Sequence, residues 1–452
     1  MDSVDFSGRL PLTSGQLGIW VHQQVHPETR EYDITKYLDI HGAVDSDAFL
    51  AALDRAGREC GTFDVRFGEG PEGPWQRLVP PSRAPLRCAD FSDAADPERA
   101  AREWVAGQWA TPMVLAGDRL YDNALVKLGE NAYRWYRRFH HILSDGYAAW
   151  FFERRVAAHY DALVRGGSPD PSTALGRLAG LVAADLEYRE SDQFAADRDY
   201  WTKLFEQRPD PVRLSTTDRG TAGVAPAIRE SAPFPQSGVD RLTYPGRGAR
   251  WTWVAVTSAL AAFLSRMTGT QDLTIGFQVT TRRGEAPRNT PGMVCNVLPL
   301  RVSLPRGITK SELMEQVNTR LGELLSHQRY PYDQLRRDLN LVGDGQHLST
   351  VSLNVMPFSA PITFGEHETT MRHHNYGPIR DLSVFLCDEG GENGWIFDFE
   401  ANPDLYSRES LRGHRDRFLS FLDAFSKRAE KDTVESIDLL VAGERGGLLG
   451  VG

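Results

Sequence analysis

The sequence predicts a mixed α/β (α+β) protein of two lobes. Three observations carry that prediction. The chain has 452 residues, more than one ordinary domain accommodates. Strand-like and helix-like patterns alternate through both halves. A Gly/Pro/Ser stretch, RGGSPDPST at 165–173, has the composition of a linker between them. We place the divide there, giving an N-terminal lobe at 1–170, a C-terminal lobe at 171–435, and a Gly-rich tail at 436–452 that reads as the start of a linker to a following domain.

The elements follow in order. SDAFLAALDRAGR (46–58) has apolar residues at helical spacing behind a Ser/Asp start, a capped helix. TFDVRF and PWQRLV are strand-like runs separated by GEGPEG, a hairpin. RWYRRFH (134–140) is an aromatic strand leading into HILSDG, and a helix follows over 147–164. Residues 174–207 read as helical, and 208–238 as a long Pro/Gly/Ser-rich connection. A helix near 251–267, strands at 272–277 and 294–303, a helix at 309–328, a strand at 350–356 and a helix at 408–429 complete the chain. No internal repeat recurs at a fixed period.

Composition excludes several classes. Hydrophobic residues make up 41% and charged residues 25%, values of a chain that buries a core. The net charge of −10 and the lack of a basic stripe argue against nucleic acid as a partner. The four cysteines (Cys60, Cys88, Cys295, Cys387) form no C-x-x-C pair, which argues against a disulfide framework or structural zinc and fits a reducing cytoplasm. The N-terminal residues carry no secretory signal. The most apolar stretch, Trp251 to Leu264, is too short to cross a bilayer, so no membrane role is expected.

The strongest candidate for chemistry is His140-His141-Ile-Leu-Ser-Asp145-Gly146, between a strand and a helix. A neutral imidazole at a strand end can take a proton from an attacking amine or hydroxyl near neutral pH. An aspartate four residues on can organise the turn, and Gly146 permits close backbone approach. A second reading makes Asp145-Gly146 only a turn and helix cap with the histidines packed nearby. Elsewhere, Gly68-Glu-Gly70-Pro-Glu-Gly73 matches G-x-G-x-x-G but joins two strands, so it reads as a hairpin turn rather than a dinucleotide fingerprint. His367, His373 and His374 lack H-E-x-x-H spacing and read as a mobile polar loop, with a metal site as the alternative; no metal is expected. Neither G-x-S-x-G nor a P-loop occurs.

FHHILSDGYA resembles the His-His-x-x-x-Asp-Gly signature of nonribosomal peptide synthetase condensation domains. Wax-ester synthases and polyketide-associated acyltransferases share that signature, so the flanking segments decide. LTSGQLGIW (12–20), DRDYW (197–201), IGFQVTTR (275–282), GMVCNVLPLRV (292–302), HQRYPYDQL (327–335) and STVSLNVMPF (349–358) resemble the family's other blocks, in family order. There are departures. The Arg-His-Glu block appears as Glu59-Cys60-Gly61-Thr62-Phe63, Gln278 stands for a usual Pro, and Thr281 for a usual Gly.

The resemblance implies two chloramphenicol-acetyltransferase-like lobes in a V-shaped pseudo-dimer with a central tunnel. It implies an acyltransferase that forms an amide when an acceptor aminoacyl amine attacks a donor acyl, aryl or peptidyl thioester. His141 would stand nearest the chemistry, His140 would be structural, Asp145 would pair with Arg282 to hold the loop, and Gly146 would keep the backbone close to the thioester. Gln16, Asn296 and Asn354 are the implied tunnel-lining candidates. No cofactor would be bound covalently; substrates would arrive on 4'-phosphopantetheine arms. The implied partners are a donor carrier protein in trans, because the blocks begin a dozen residues from Met1, and acceptor carrier and adenylation domains of the same synthetase, with this domain monomeric. The pattern is similar to the first condensation domains of siderophore and lipopeptide synthetases. Two other readings stay open: a stand-alone acyltransferase esterifying an alcohol from a CoA or carrier thioester, and a non-catalytic docking domain. The second motif of the plant-type acyltransferases, Asp-Phe-Gly-Trp-Gly, is missing.

Overall fold

A computed structural model describes residues 8–80, 86–116, 119–217, 227–244, 246–283, 288–341, 347–356, 362–373, 377–388 and 395–439. The described residues form two compact units. The first comprises residues 1–194, 280–295 and 360–378, and the second comprises 195–279, 296–359 and 379–452.

In the first unit, β1 (Leu10–Pro11), β3 (Val65–Gly70) and β4 (Gly73–Leu78) make a small sheet in the order β1-β4-β3. The expected hairpin is β3–β4: Gly70 pairs with Gly73, and Gly73 takes φ +105°, a left-handed conformation that glycine adopts without penalty. The main sheet runs β12 (Thr363–Phe364), β13 (His367–His373), β2 (Asp33–Ile40), β7 (Ala132–His140), β6 (Tyr121–Gly129), β5 (Arg87–Asp90). Helices α1 (Ser14–Val25), α2 (Ser46–Cys60), α3 (Pro97–Gln108), α4 (Gly146–Arg165) and α5 (Leu178–Arg189) accompany these strands.

The alternation of β7 explains how the sheet is covered. Trp135 and Phe139 face the large core with Phe49 of α2 and Phe152 of α4. Tyr136 faces the other way, onto Ala101 and Val105 of α3. Three arginines on this strand are buried, and each has a carboxylate: Arg134 with Asp39, Arg138 with Asp33, and Arg137 with Glu153 at 2.7 Å. Lys36 of β2 joins the same Glu153 at 2.9 Å, so α4 is pinned to the sheet by charge as well as by apolar packing.

Two expectations are corrected here. The first unit continues past 170, because Arg155 holds the Asp170 carbonyl and Thr173 Oγ1, both at 3.1 Å, while Leu178, Leu181 and Val182 of α5 enter the first core. The division at 170 therefore gives way to one after Phe194. His367 to His373 is a strand rather than a polar loop, since Thr369 to His373 pair antiparallel with Ile40 to Lys36 of β2. His374 lies outside the described residues. Among the described residues no group of three His, Cys, Asp or Glu side chains could hold a metal ion.

The second unit is built on a sheet in the order β10 (Cys295–Ser303), β9 (Asp272–Thr280), β11 (Val351–Met356), β14 (Leu382–Asp388), β15 (Trp395–Ala401), β8 (Ile228–Phe234). Its helices are α6 (Asp192–Leu204), α7 (Gln236–Leu242), α8 (Ala249–Thr268), α9 (Lys310–Ser326), α10 (Tyr332–Asp338) and α11 (Arg408–Lys427). The apolar stretch at 251–264 is the buried interior of α8. Strand β8 falls in the segment expected to be a connection; it is an edge strand, which tolerates its Pro233.

The DRDYW and HQRYPYDQL segments interlock in this unit: His327 Nδ1 bonds Asp197 at 2.7 Å, Tyr200 stacks on His327 at 3.9 Å, and Trp201 Nε1 donates to the His327 carbonyl. After α11 the chain turns back as a strap. Arg266 donates to the carbonyls of Val434, Glu435 and Ile437, Arg428 to that of Ser436, and Arg417 to that of Leu439. The tail expected to start at 436 is thus packed at least through Leu439; residues 440–452 lie outside the described residues. Among the described residues no helix is long and apolar enough to cross a membrane.

Candidate active site

The His-His loop begins where β7 ends. The His140 N–H donates to the Leu120 carbonyl at 2.8 Å and the His141 N–H to that of Tyr32 at 2.7 Å, the last rungs holding the strand. The chain then turns tightly, with Leu143 N–H donating to His140 O and Ser144 N–H to His141 O. Ile142 and Leu143 are buried in the first core and anchor the turn.

The two imidazoles have opposite tautomers. His140 Nδ1 accepts the Ile142 N–H at 3.2 Å, so the proton sits on Nε2, which reaches Gln23 Oε1 at 3.4 Å. Both ring nitrogens are engaged, and burial, with His141 and Arg138 nearby, pushes its pKa down to about 3. His140 is a neutral structural histidine. His141 Nδ1 lies 2.8 Å from the Ser144 carbonyl, which can only accept, so Nδ1 carries the proton and Nε2 presents a lone pair. Burial lowers the His141 pKa, partly opposed by the Asp145 carboxylate and the Ser144 carbonyl. The ring is therefore neutral near pH 7, in the tautomer a general base needs.

Asp145 caps α4, with Oδ1 accepting the Ala148 N–H at 2.9 Å. Its Oδ2 accepts from Arg282 Nη1 at 2.8 Å and from the Val294 N–H at 3.1 Å. Arg282 also donates to Thr290 O, Gly292 O and Thr280 Oγ1. Both partners are only 3% exposed, so this is a buried, fully bonded ion pair that ties the loop to residues 280–294. Asp145 is committed to three donors, Ala148 N–H, Arg282 and Val294 N–H. Gly146 opens α4 at the exposed surface.

Of the other named residues, Gln16 is 1% exposed and its amide is wholly engaged by Thr13, Gln76 and the Ile142 carbonyl. It supports the loop and lines no open channel, a correction to its expected role. Asn296 belongs mainly to the second unit's framework, donating to Gln328 O and Tyr330 O and accepting from Tyr332 N–H. Asn354 donates to Gln278 Oε1 at 2.7 Å on the polar face of that unit's sheet, so the glutamine that replaces a proline has a partner of its own. The sequence did not single out Gln23, Gln76 or Gly377. Gly377, at φ +118°, lies against His141: a Cβ there would stand 3.3 Å from the ring Cδ2 and 3.7 Å from Nε2.

A neutral histidine with its lone pair presented and its other nitrogen locked, carried on a loop clamped by a buried ion pair, is an arrangement that can accept a proton during acyl transfer. The condensation-domain family model matches residues 7–449, and the chain belongs to that family. It is 34% identical over 435 residues to the dimodular nonribosomal peptide synthase of Bacillus subtilis (strain 168), covering 96% of this chain and 18% of that protein. With the isonitrile lipopeptide synthase of Streptomyces coeruleorubidus it shares 36% identity over 420 residues, 92% of this chain and 28% of that one. With enterobactin synthase component F of Escherichia coli O157:H7 the identity is 27%, over 93% of this chain and 32% of that one. The chain thus spans about a fifth to a third of these curated relatives.

Among solved structures, the starter condensation domain of rhizomide synthetase RzmA, as a variant in complex with C8-CoA, superposes with a TM-score of 0.89 at 33% identity, covering 96% of this chain and 98% of that one. The first condensation domain of the calcium-dependent antibiotic synthetase, bound to a substrate analogue, gives 0.84 at 33% identity, over 97% and 100%. Family and fold agree with the sequence expectation of a nonribosomal peptide synthetase condensation domain, an amide-forming acyltransferase.

Proposed function

We propose that this domain catalyses an initiating condensation, joining a fatty-acyl donor thioester to the amine of an acceptor aminoacyl thioester. The observation that carries the chemistry is the His141 tautomer: Nδ1–H is fixed on the Ser144 carbonyl and Nε2 is left as the acceptor. The acceptor nitrogen attacks the donor carbonyl, a C–N bond forms, and the amine proton passes to Nε2. As the intermediate collapses the C–S bond breaks, and the proton leaves on the thiol of the donor arm. Asp145 and Arg282 hold the loop and take no proton. Holding both tethered reactants in place contributes up to roughly 7–11 kcal/mol in ideal cases, and general-base help adds about 10²–10⁴-fold.

The initiating role and the acyl donor are supported by the similarity to starter domains, one of them bound to C8-CoA, and to a lipopeptide synthase. Both substrates would arrive on 4'-phosphopantetheine arms, the donor on a separate carrier protein and the acceptor on a carrier domain of the same synthetase, beside an adenylation domain. Intact-mass analysis of a leucine-loaded acceptor carrier tests this, with octanoyl, aryl and aminoacyl donor carriers and with wild type beside His141→Ala. An octanoyl mass gain that depends on His141 is the expected result. Gain only with aryl or aminoacyl donors overturns the donor class. Ester formation from a CoA thioester and a free alcohol, without amide, makes it a stand-alone acyltransferase. Silence in both assays makes it a docking domain.

A further inference from the structure

We propose that three buried glutamines, Gln16, Gln23 and Gln76, are positioning residues that fix the two peptide planes following His141 and so aim its Nε2. This rests on His141 being the base.

The geometry is a closed hydrogen-bond circuit. Gln16 and Gln76 face each other as a reciprocal amide pair, Gln16 Nε2 donating to Gln76 Oε1 at 3.0 Å and Gln76 Nε2 to Gln16 Oε1 at 2.8 Å. The second proton on each amide is also placed: that of Gln16 on the Ile142 carbonyl at 3.2 Å, that of Gln76 on the Pro11 carbonyl at 3.0 Å. Gln16 Oε1 further accepts the Thr13 N–H at 2.9 Å. Gln23 lies seven residues after Gln16, on the same face of α1. Its Nε2 donates to the carbonyls of Pro27 and Thr29, and its Oε1 receives the Nε2–H of His140.

The consequence for His141 is local. Residue Ile142 is held on both sides: its N–H, in the 141–142 peptide, by His140 Nδ1, and its carbonyl, in the 142–143 peptide, by Gln16. The ring that holds the N–H end keeps its tautomer because Gln23 offers it only an acceptor. His141 directly precedes these fixed planes, and its own N–H is held by the Tyr32 carbonyl. Gln16 is 1% exposed, Gln76 0% and Gln23 4%, so water cannot substitute for any of them. Leucine or methionine would fill the same volume without the cost of burying an amide. What the amides add is direction, and a misplacement of about 1 Å at a reacting group can cost about 10²-fold in rate.

The test is the Gln16→Met/Gln76→Met double variant, which removes both side-chain amides of the pair together and takes their contacts from the Thr13 N–H and the Ile142 and Pro11 carbonyls. Amide formation is followed in single turnover beside wild type, together with the 15N spectrum of labelled histidine, which reports each imidazole tautomer. We expect a cooperatively folded domain whose rate falls about 10–100-fold, with half-saturating carrier concentrations within about twofold of wild type and a shifted His141 15N signal. A folded double variant with a wild-type rate overturns the inference. Wild type that forms no amide sinks the functional reading instead. Should the double variant not fold, Gln23→Met leaves the pair intact: loss of the single Nε2–H form of His140 supports the circuit, and unchanged tautomers at both histidines overturn it.

Discussion

Asp145→Asn separates the structural from the proton-transfer account of the motif. Asparagine has one acceptor oxygen where aspartate has two, and Asp145 uses both: Oδ1 on Ala148 N–H, Oδ2 on Arg282 and Val294 N–H. With its oxygen toward Arg282 and Val294, the new NH2 faces the Ala148 N–H and the α4 cap is lost, at about 1 kcal/mol. The bond to Arg282 also loses its carboxylate, which removes about 1.5–3 kcal/mol from a charge-assisted pair. The sum is about 2.5–4 kcal/mol, below the 3–5 kcal/mol plus cap expected for full removal of a partner from a buried pair, because Arg282 keeps Thr290, Gly292 and Thr280. Urea unfolding of the two proteins measures it.

The same substitution makes a kinetic prediction of definite sign. The carboxylate raises the His141 pKa, against burial. Its removal lowers that pKa further, so the base stays neutral to lower pH and the acid limb of the rate profile moves down. A variant within about 1 kcal/mol of wild type, or an acid limb that moves up, refutes the reasoning.

Other outcomes follow from the same geometry. His141→Ala should slow amide formation by about 10²–10⁴-fold while leaving a measurable residue from positioning, read in single turnover. Gly377→Ala places a methyl 3.3 Å from the His141 ring at a backbone φ of +118°; we expect a rate loss of about tenfold or more, with stability lowered by about 1–3 kcal/mol in calorimetry because alanine is strained at that φ. His140 has a folded pKa near 3 against an ordinary 6.5, so the unfolded chain binds the extra proton between those values. Its contribution is fully present above pH 6.5 and falls away as pH drops toward 3, a loss of roughly 3–5 kcal/mol that His140→Phe should flatten in pH-dependent denaturation.

The sequence made the loop legible because its information is local: a strand, two histidines, and an aspartate in N-cap position before a helix. The Asp145–Arg282 pair was implied by resemblance and lies 137 residues apart, at 2.8 Å. Gln16 was named but assigned to a channel, although Thr13-Ser-Gly-Gln16 spells a capping box that turns its side chain back toward the backbone. Gln76 left little trace, because its partner is 60 residues away and a hairpin strand can bury either parity. Gly377 was indistinguishable from a turn glycine. The unit boundary was misplaced because linker composition at 165–173 reports a polar surface turn, while Leu178, Leu181 and Val182 commit the following helix to the first core.

The arginine-held strap after α11 bears on how this domain can be cut and grafted. A seam at 435/436 looks safe from composition, yet it discards Ile437, 1% exposed, and strips Arg428 and Arg417 of the carbonyls they hold. Arg266 would keep two of its three acceptors and lose the third. A chimera joined there inherits guanidinium groups that have lost these acceptors and an open apolar socket on the receiving side. Joined after Leu439, it carries its own plug, and the fused neighbour begins on covered ground.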